Sequence, residues 1–265
     1  MIAGISSACF YPLETEKAVA KLVNAGCPAI EIFLNAYCEV TPDFIAQLKG
    51  ILAGSGTRVV ALHPFSSGME GMLFFSNYPR RFQDGLDLYK QYMNAALELG
   101  GRYIILHGAH KMAYPDLGLY AQRYGILHEE MKKMGGMILH ENVERSISRE
   151  PALFELLSKQ IPDAGFVLDI KQAVRSGVDP LVMLKAMKGH IRHVHISDNS
   201  AEESCLPVGK GIMNFPLFLD MLRQYGFDEA LILELYSFSF CDEKELYGSV
   251  NYLGNLIQMG QSSHR

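Results

Sequence analysis

The sequence contains no CxxC pair. Its cysteines, Cys9, Cys27, Cys38, Cys205 and Cys241, are scattered and odd in number. That argues against a disulfide framework and a thiolate zinc site, and makes a reducing cytoplasm the expected home. There is no long Lys/Arg cluster either, and 24 basic against 29 acidic residues leave a formal net charge of −5. A general electrostatic grip on nucleic acid therefore has little support, and a small-molecule substrate fits better. Nowhere do about 18 apolar residues run uninterrupted, and the opening MIAGISSACF lacks a basic n-region and a sustained apolar stretch. Neither a membrane role nor a secretory leader is expected. The first apolar run leads into Ser6, Ser7, Ala8 and Cys9 rather than a glycine-rich phosphate turn, which weighs against an open doubly wound sheet. No composition break or low-complexity linker divides the chain, so one domain across residues 1–265 is expected.

What is present is periodicity. With 49% hydrophobic residues and a mean hydropathy of +0.07, the chain can bury a large core without staples. Short apolar runs occur at residues 2–5, 29–33, 59–62, 103–106, 137–139, 166–168, 191–196 and 231–233. Between them lie stretches with helical spacing at 14–25, 41–52, 82–99, 120–134, 151–158, 180–187, 215–225 and 243–257. Thr41–Pro42 and Asp179–Pro180 each place a capping residue before a first-turn proline. Buried strands alternating with helices predict a parallel sheet, and eight such units in about 250 residues predict a closed (β/α)8 TIM barrel. SSGMEGMLFFSNYPR, residues 66–80, is the longest irregular insertion. Its MLFF segment is expected to serve as a lid, an oligomer contact or simple packing.

The ends of these runs carry chemistry. VVALH ends in His63, YIILH in His107, MILHE in Glu141, FVLD in Asp169 and LILE in Glu234; HVHISD carries His195 and Asp198, and AIEIF carries Glu31. Any one of these would ordinarily be a polar group entering a loop. Six consecutive strands delivering His, Asp or Glu at one register is harder to obtain by chance, because in a (β/α)8 barrel the C-terminal strand ends converge on one mouth. Three carboxylates and an imidazole packed there need a positive charge among them. Glu141, Asp169, His195 and Glu234 form an oxygen-rich set with one nitrogen, suited to a single divalent metal ion, Mn, Co, Zn or Mg. His193 is expected to alternate with His195 and point outward, and Lys171 to point away from the ligand face. Lys210, in VGKG, would bring an ammonium over the mouth to hold a phosphate or carboxylate, with a solvated loop lysine as the competing reading. Asn142 and Asp198 would orient ligands or cap loops, and Asp198 is also a substrate-binding candidate. His110, His128, His140 and His190 are assigned to packing or surface.

The segments LHEN, VLDIKQA, HVHISDN, LPVGKG with NFP, and LILEL resemble the xylose isomerase-like TIM barrel superfamily across essentially the whole chain. That superfamily includes sugar isomerases and 3-epimerases, inosose dehydratases and endonuclease IV, so the resemblance supports fold and metal more than any one reaction. Its epimerase branch implies that Glu141, Asp169, His195 and Glu234 bind one divalent ion, commonly manganese, and that Glu141 and Glu234 act as paired acid and base. The implied reaction is proton transfer next to the carbonyl of a small sugar, keto-sugar or sugar phosphate through an enediolate. An inosose-type dehydratase is the nearest alternative; an endonuclease IV-like phosphodiesterase and a non-catalytic sugar-binding barrel stand further off. Many members carry His where this chain has Gln172, and the nuclease branch has an Asp-x-His pair where this chain has AEESCLPVGKG. Both departures argue against a multinuclear site. They leave His63, His107 and Gln172 as substrate-binding candidates. Specificity would lie in the loops after the first three strands, including Cys9, Phe10, Phe33 and Phe65. Tyr236, Phe238 and Phe240 would line the pocket or form a homo-oligomer contact.

Overall fold

Each of the eight apolar runs forms a strand, and the computed structural model, which describes residues 1–113 and 115–262, closes them into a parallel barrel in sequence order. The strands are β1 (Ile2–Ser6), β2 (Ala29–Phe33), β3 (Arg58–His63), β4 (Tyr103–Leu106), β5 (Met137–Glu141), β6 (Gly165–Asp169), β7 (Ile191–Ile196) and β8 (Ala230–Leu233). β8 pairs with β1 through Ile2–Ala230 to Ile5–Leu233, which leaves no free edge. The helices are α1 (Thr15–Asn24), α2 (Pro42–Leu52), α3 (Glu70–Phe74), α4 (Pro79–Glu98), α5 (Leu117–Lys133), α6 (Pro151–Gln160), α7 (Ile170–Arg175), α8 (Pro180–Ala186), α9 (Phe215–Gln224) and α10 (Glu243–Ser262).

Alternation along the strands sorts the core into two parts. Residues such as Ile5, Ile30, Ile104, Ile138, Phe166, Val194 and Leu231 pack outward against the helices, whereas Ala29, Ala61, Ile105, Leu139, Val167 and Ile232 fill the barrel axis. The axial space is tight. A Cβ at Gly4 would stand 2.2 Å from the Ala29 carbonyl oxygen and 2.7 Å from Ile232 Cδ1, so glycine is required there. Extra residues at two places, Val60 on β3 and Arg192 on β7, shift the register between neighbouring strands.

The irregular reading of residues 66–80 is corrected. Residues 65–69 form a 3-10 turn, α3 follows, and Phe74 and Phe75 are buried. Phe74 packs edge-on against Tyr89, and Phe75 stacks on Tyr120 at 3.8 Å, so this segment is core packing. Of the two proline starts, Asp179 caps as expected, accepting from Leu181 N at 2.7 Å. Thr41 has the extended cap conformation, but its hydroxyl donates back to Cys38 O at 2.8 Å instead.

Candidate metal centre

The last inward-facing position of each strand, or the first residue beyond it, forms the top layer of the barrel. Asp169 ends β6 and also caps α7, accepting from Gln172 N at 2.8 Å. Glu234 follows β8 directly and stays in register through its amide, which donates to Ile196 O at 3.2 Å. Asn142 brackets the Asp169 backbone, accepting from Asp169 N and donating to Asp169 O, each at 2.8 Å. That pair of hydrogen bonds locks the end of β5 to the end of β6.

Ligand atoms of Glu141, Asp169, His195 and Glu234 all lie within 4.8 Å of one another. His195 Nδ1 stands 3.1 Å from Glu141 Oε1 and 3.6 Å from both Asp169 Oδ2 and Glu234 Oε2. Its other nitrogen is held from below: Nε2 is 3.0 Å from Glu31 Oε2. Glu31 is fully buried and is also bonded by Ser6 Oγ and by His193 Nε2 at 2.9 Å. His193 therefore faces the barrel axis, not the helices. Residues two apart on a strand share a face, and the extra residue Arg192 separates inward His193 from outward Ile191.

Lys171 is the main departure from expectation. Instead of pointing away, its side chain is only 4% exposed and its Nζ lies 2.6 Å from Glu234 Oε2 and 3.5 Å from Asp169 Oδ2. Its nitrogen is also 4.9 Å from the centre of the Tyr236 ring.

The charges shape one another. Burial pushes the Asp169 carboxyl up to about 6, against the pull of Lys171 and His195. Burial also raises the Glu141 carboxyl, but His107 and His195 outweigh it and hold the group well below the usual range. At Glu234 burial loses to Lys171 and His195. Burial would strip the proton from His195, yet Glu31, Glu234 and Glu141 hold it there well above the ordinary imidazole value. Two buried oxygens, Glu141 Oε2 and Asp169 Oδ2, have no hydrogen-bond partner. Buried carboxylate oxygens with cationic neighbours but no hydrogen bond are a donor set that fits a divalent cation.

His63 and His107 stand on the other wall. Their Nε2 atoms are 3.0 Å apart, and His107 Nε2 is 2.9 Å from Glu141 Oε2 without the alignment of a hydrogen bond. Both line a mouth cavity of about 370 Å³ together with Phe33, Glu141, Arg145, Lys171, Gln172, Arg175, Glu234 and Tyr236. The Gln172 carboxamide oxygen accepts from Glu144 N at 3.0 Å. Of the expected specificity residues, Phe33 reaches the cavity, while Cys9 is buried and Phe10 and Phe65 pack on the core.

Two expected substrate contacts lie elsewhere. Asp198 is 1% exposed, and its oxygens accept from the amides of Asn199, Gly209, Gly211 and Met213, so it anchors the loop after β7. Lys210 is exposed beside a separate hollow with Asp242, Glu245 and Tyr252. Glu70 was not singled out by any sequence pattern. It is buried under β4, bonded to Tyr89 and accepting from His107 N at 2.7 Å and Gly108 N at 2.6 Å.

Fold and site together define a closed parallel barrel with a carboxylate-rich mouth. The sequence matches the family model of the xylose isomerase-like TIM barrel over residues 19–253, and the chain belongs to that family. No curated protein sequence matches it. Among solved structures it is similar to a D-tagatose 3-epimerase-like protein, with 19% identity, both chains covered in full and a TM-score of 0.82. It is also similar to an L-ribulose 3-epimerase, with 18% identity, 99% of this chain and 96% of that one covered and a TM-score of 0.76. A probable 3-DHS dehydratase from Bacillus anthracis shares 15% identity over 96% of this chain and 98% of its own, with a TM-score of 0.73. At these identities the likeness is one of fold.

Proposed function

We propose that the protein is a metal-dependent isomerase or epimerase of a small carbohydrate, acting by proton transfer next to a carbonyl. The observation that carries this is the convergence of Glu141, Asp169, His195 and Glu234 within 4.8 Å at a cavity open to a small molecule. These four residues would hold one divalent ion. When bound, the ion supplies Lewis-acid stabilisation of the negative charge on an enediolate. Glu141 and Glu234 stand three strands apart round the mouth and would take the proton from one carbon and return it to the other face or a neighbouring atom. His63, His107 and Gln172, which line the same cavity, would bind hydroxyls. Arg145 and Arg175 on the same cavity support a substrate bearing a phosphate or carboxylate. The epimerases among the similar structures support the reaction class by analogy.

The test joins three measurements. Elemental analysis of dialysed protein should give about one divalent metal per chain. A panel of ketoses and their phosphates in D2O should reveal a substrate that takes up solvent deuterium at the carbon beside the carbonyl. Glu234→Gln should reduce that exchange by about 10²- to 10⁴-fold, the range set by loss of a general acid or base. Loss of water from the substrate would transfer the reading to a dehydratase, and absence of both exchange and product would reduce the barrel to a binder.

A further inference from the structure

Lys171 brings a permanent positive charge into the place where the four carboxylate and imidazole ligands meet. Its Nζ touches Glu234 Oε2 at 2.6 Å and approaches Asp169 Oδ2 at 3.5 Å, and those are the same two oxygens that face His195 Nδ1 at 3.6 Å. The side chain is only 4% exposed, so this is a seated contact and not a surface lysine resting nearby. A divalent ion bonds carboxylate oxygens at about 2.0–2.2 Å. Two cations sharing the same oxygens would also repel strongly in a site this buried.

We propose that the Lys171 ammonium and the divalent ion are alternative occupants of one cation position, so that ion binding must displace the lysine. This inference rests on the four-ligand reading above and not on the reaction. The lysine acts as a built-in counter-cation. It keeps Asp169 and Glu234 from facing each other unneutralised when no ion is present, and it weakens ion affinity in return. The Tyr236 ring, already 4.9 Å from Nζ, offers the ammonium a cation–π seat on the cavity wall once the carboxylates are taken. Of the four ligands, only Asp169 and Glu234 pair with Lys171. The exchange therefore takes place at Asp169 and Glu234, while Glu141 and His195, held to each other at 3.1 Å, make no ion pair with Lys171.

The experiment uses EDTA-stripped full-length protein and MnCl2. By titration calorimetry, Lys171→Met should bind one Mn²⁺ per chain at least about tenfold more tightly than the wild type, because the ion no longer has to evict a charge. A second readout does not depend on that variant folding. Brief acylation of the wild type with an amine reagent, followed by peptide mass spectrometry, should leave Lys171 unmodified without Mn²⁺ and label it when Mn²⁺ is saturating. Equal or weaker Mn²⁺ binding by Lys171→Met, or Lys171 labelling that does not rise with Mn²⁺, overturns the proposal. Failure of the wild type and the variant alike to take up any ion overturns the four-ligand reading as well. Equal uptake by both leaves that reading in place and removes only the lysine's role.

Discussion

Glu31 serves two imidazoles at once, with Oε2 at 2.9 Å from His193 Nε2 and 3.0 Å from His195 Nε2. By fixing which nitrogen of His195 faces the carboxylates, it sets the direction of the one nitrogen in the ligand set. Glu31→Gln should therefore weaken Mn²⁺ binding by about 10- to 100-fold while the protein still folds. Glu31→Ala should also lower unfolding free energy by about 3–5 kcal/mol, because buried His195 loses its counter-charge and His193 its hydrogen-bond partner. Calorimetric titration and urea unfolding check the pair of variants, and unchanged Mn²⁺ affinity in Glu31→Gln would remove the positioning role. At this scale the sequence displayed the ligand types well, since Glu141, Asp169 and Glu234 all close apolar runs. It hid Lys171, because the strand alternation used to aim side chains stops at Asp169, where α7 begins. The direction of His193 was legible: two residues before His195 on one strand it shares that face, and the irregularity at Arg192 lies before both.

At the scale of elements, α3 is joined to the end of β4 by the Glu70 carboxyl and to α4 by Phe74 packed on Tyr89. Glu70 takes the amides of His107 and Gly108, which leave β4 just below the mouth. Gly108 has φ +85 and lies so close to Tyr120 and His140 that a Cβ would clash with both. Burial pushes the Glu70 carboxyl up to about 8, opposed by the Tyr89 hydroxyl. The folded state therefore binds a proton that the unfolded chain releases near its ordinary value of 4.5. The stabilisation from protonated Glu70 is complete below about pH 4.5 and is lost as pH rises through about 8. Within that window it falls by about 1.4 kcal/mol per pH unit. Glu70→Gln keeps an acceptor for the two amides and an NH2 for Tyr89, so it should fold and flatten this dependence. Urea unfolding of both proteins from about pH 5 to 8 reads the difference directly, and parallel pH profiles would show that Glu70 is not the group responsible. None of this was legible beforehand. Glu70 lies in a glycine-flanked segment with no regular period, and its partners come from strand ends 37 and 38 residues away.

For the whole molecule, the order and number of strands could be read from eight apolar runs, because a parallel barrel buries both faces of every strand and leaves unbroken hydrophobic stretches. Which side chains meet across the mouth could be read only as far as strict alternation holds, and the register shifts at Val60 and Arg192 carry no local signal. The resulting site is lopsided. All four proposed ligands come from β5 to β8, while β3 and β4 contribute only the flanking imidazoles. An ion held there ties the ends of four consecutive strands to one point; β2 reaches it through Glu31, which holds His195, and the end of β4 through His107 beside Glu141. At about 100 times its dissociation constant, an ion that binds only the folded state adds about 2.7 kcal/mol of stability. For a chain of this size that is a rise in Tm of roughly 5–10 °C. Hydrogen exchange should distribute the gain unevenly: amides at the C-terminal ends of β5 to β8 and in α7 should exchange more slowly with Mn²⁺, and those of β1 should change little. Protection spread evenly round the barrel, or centred on β3 and β4, would place the ion with His63 and His107 instead and require the ligand set to be redrawn.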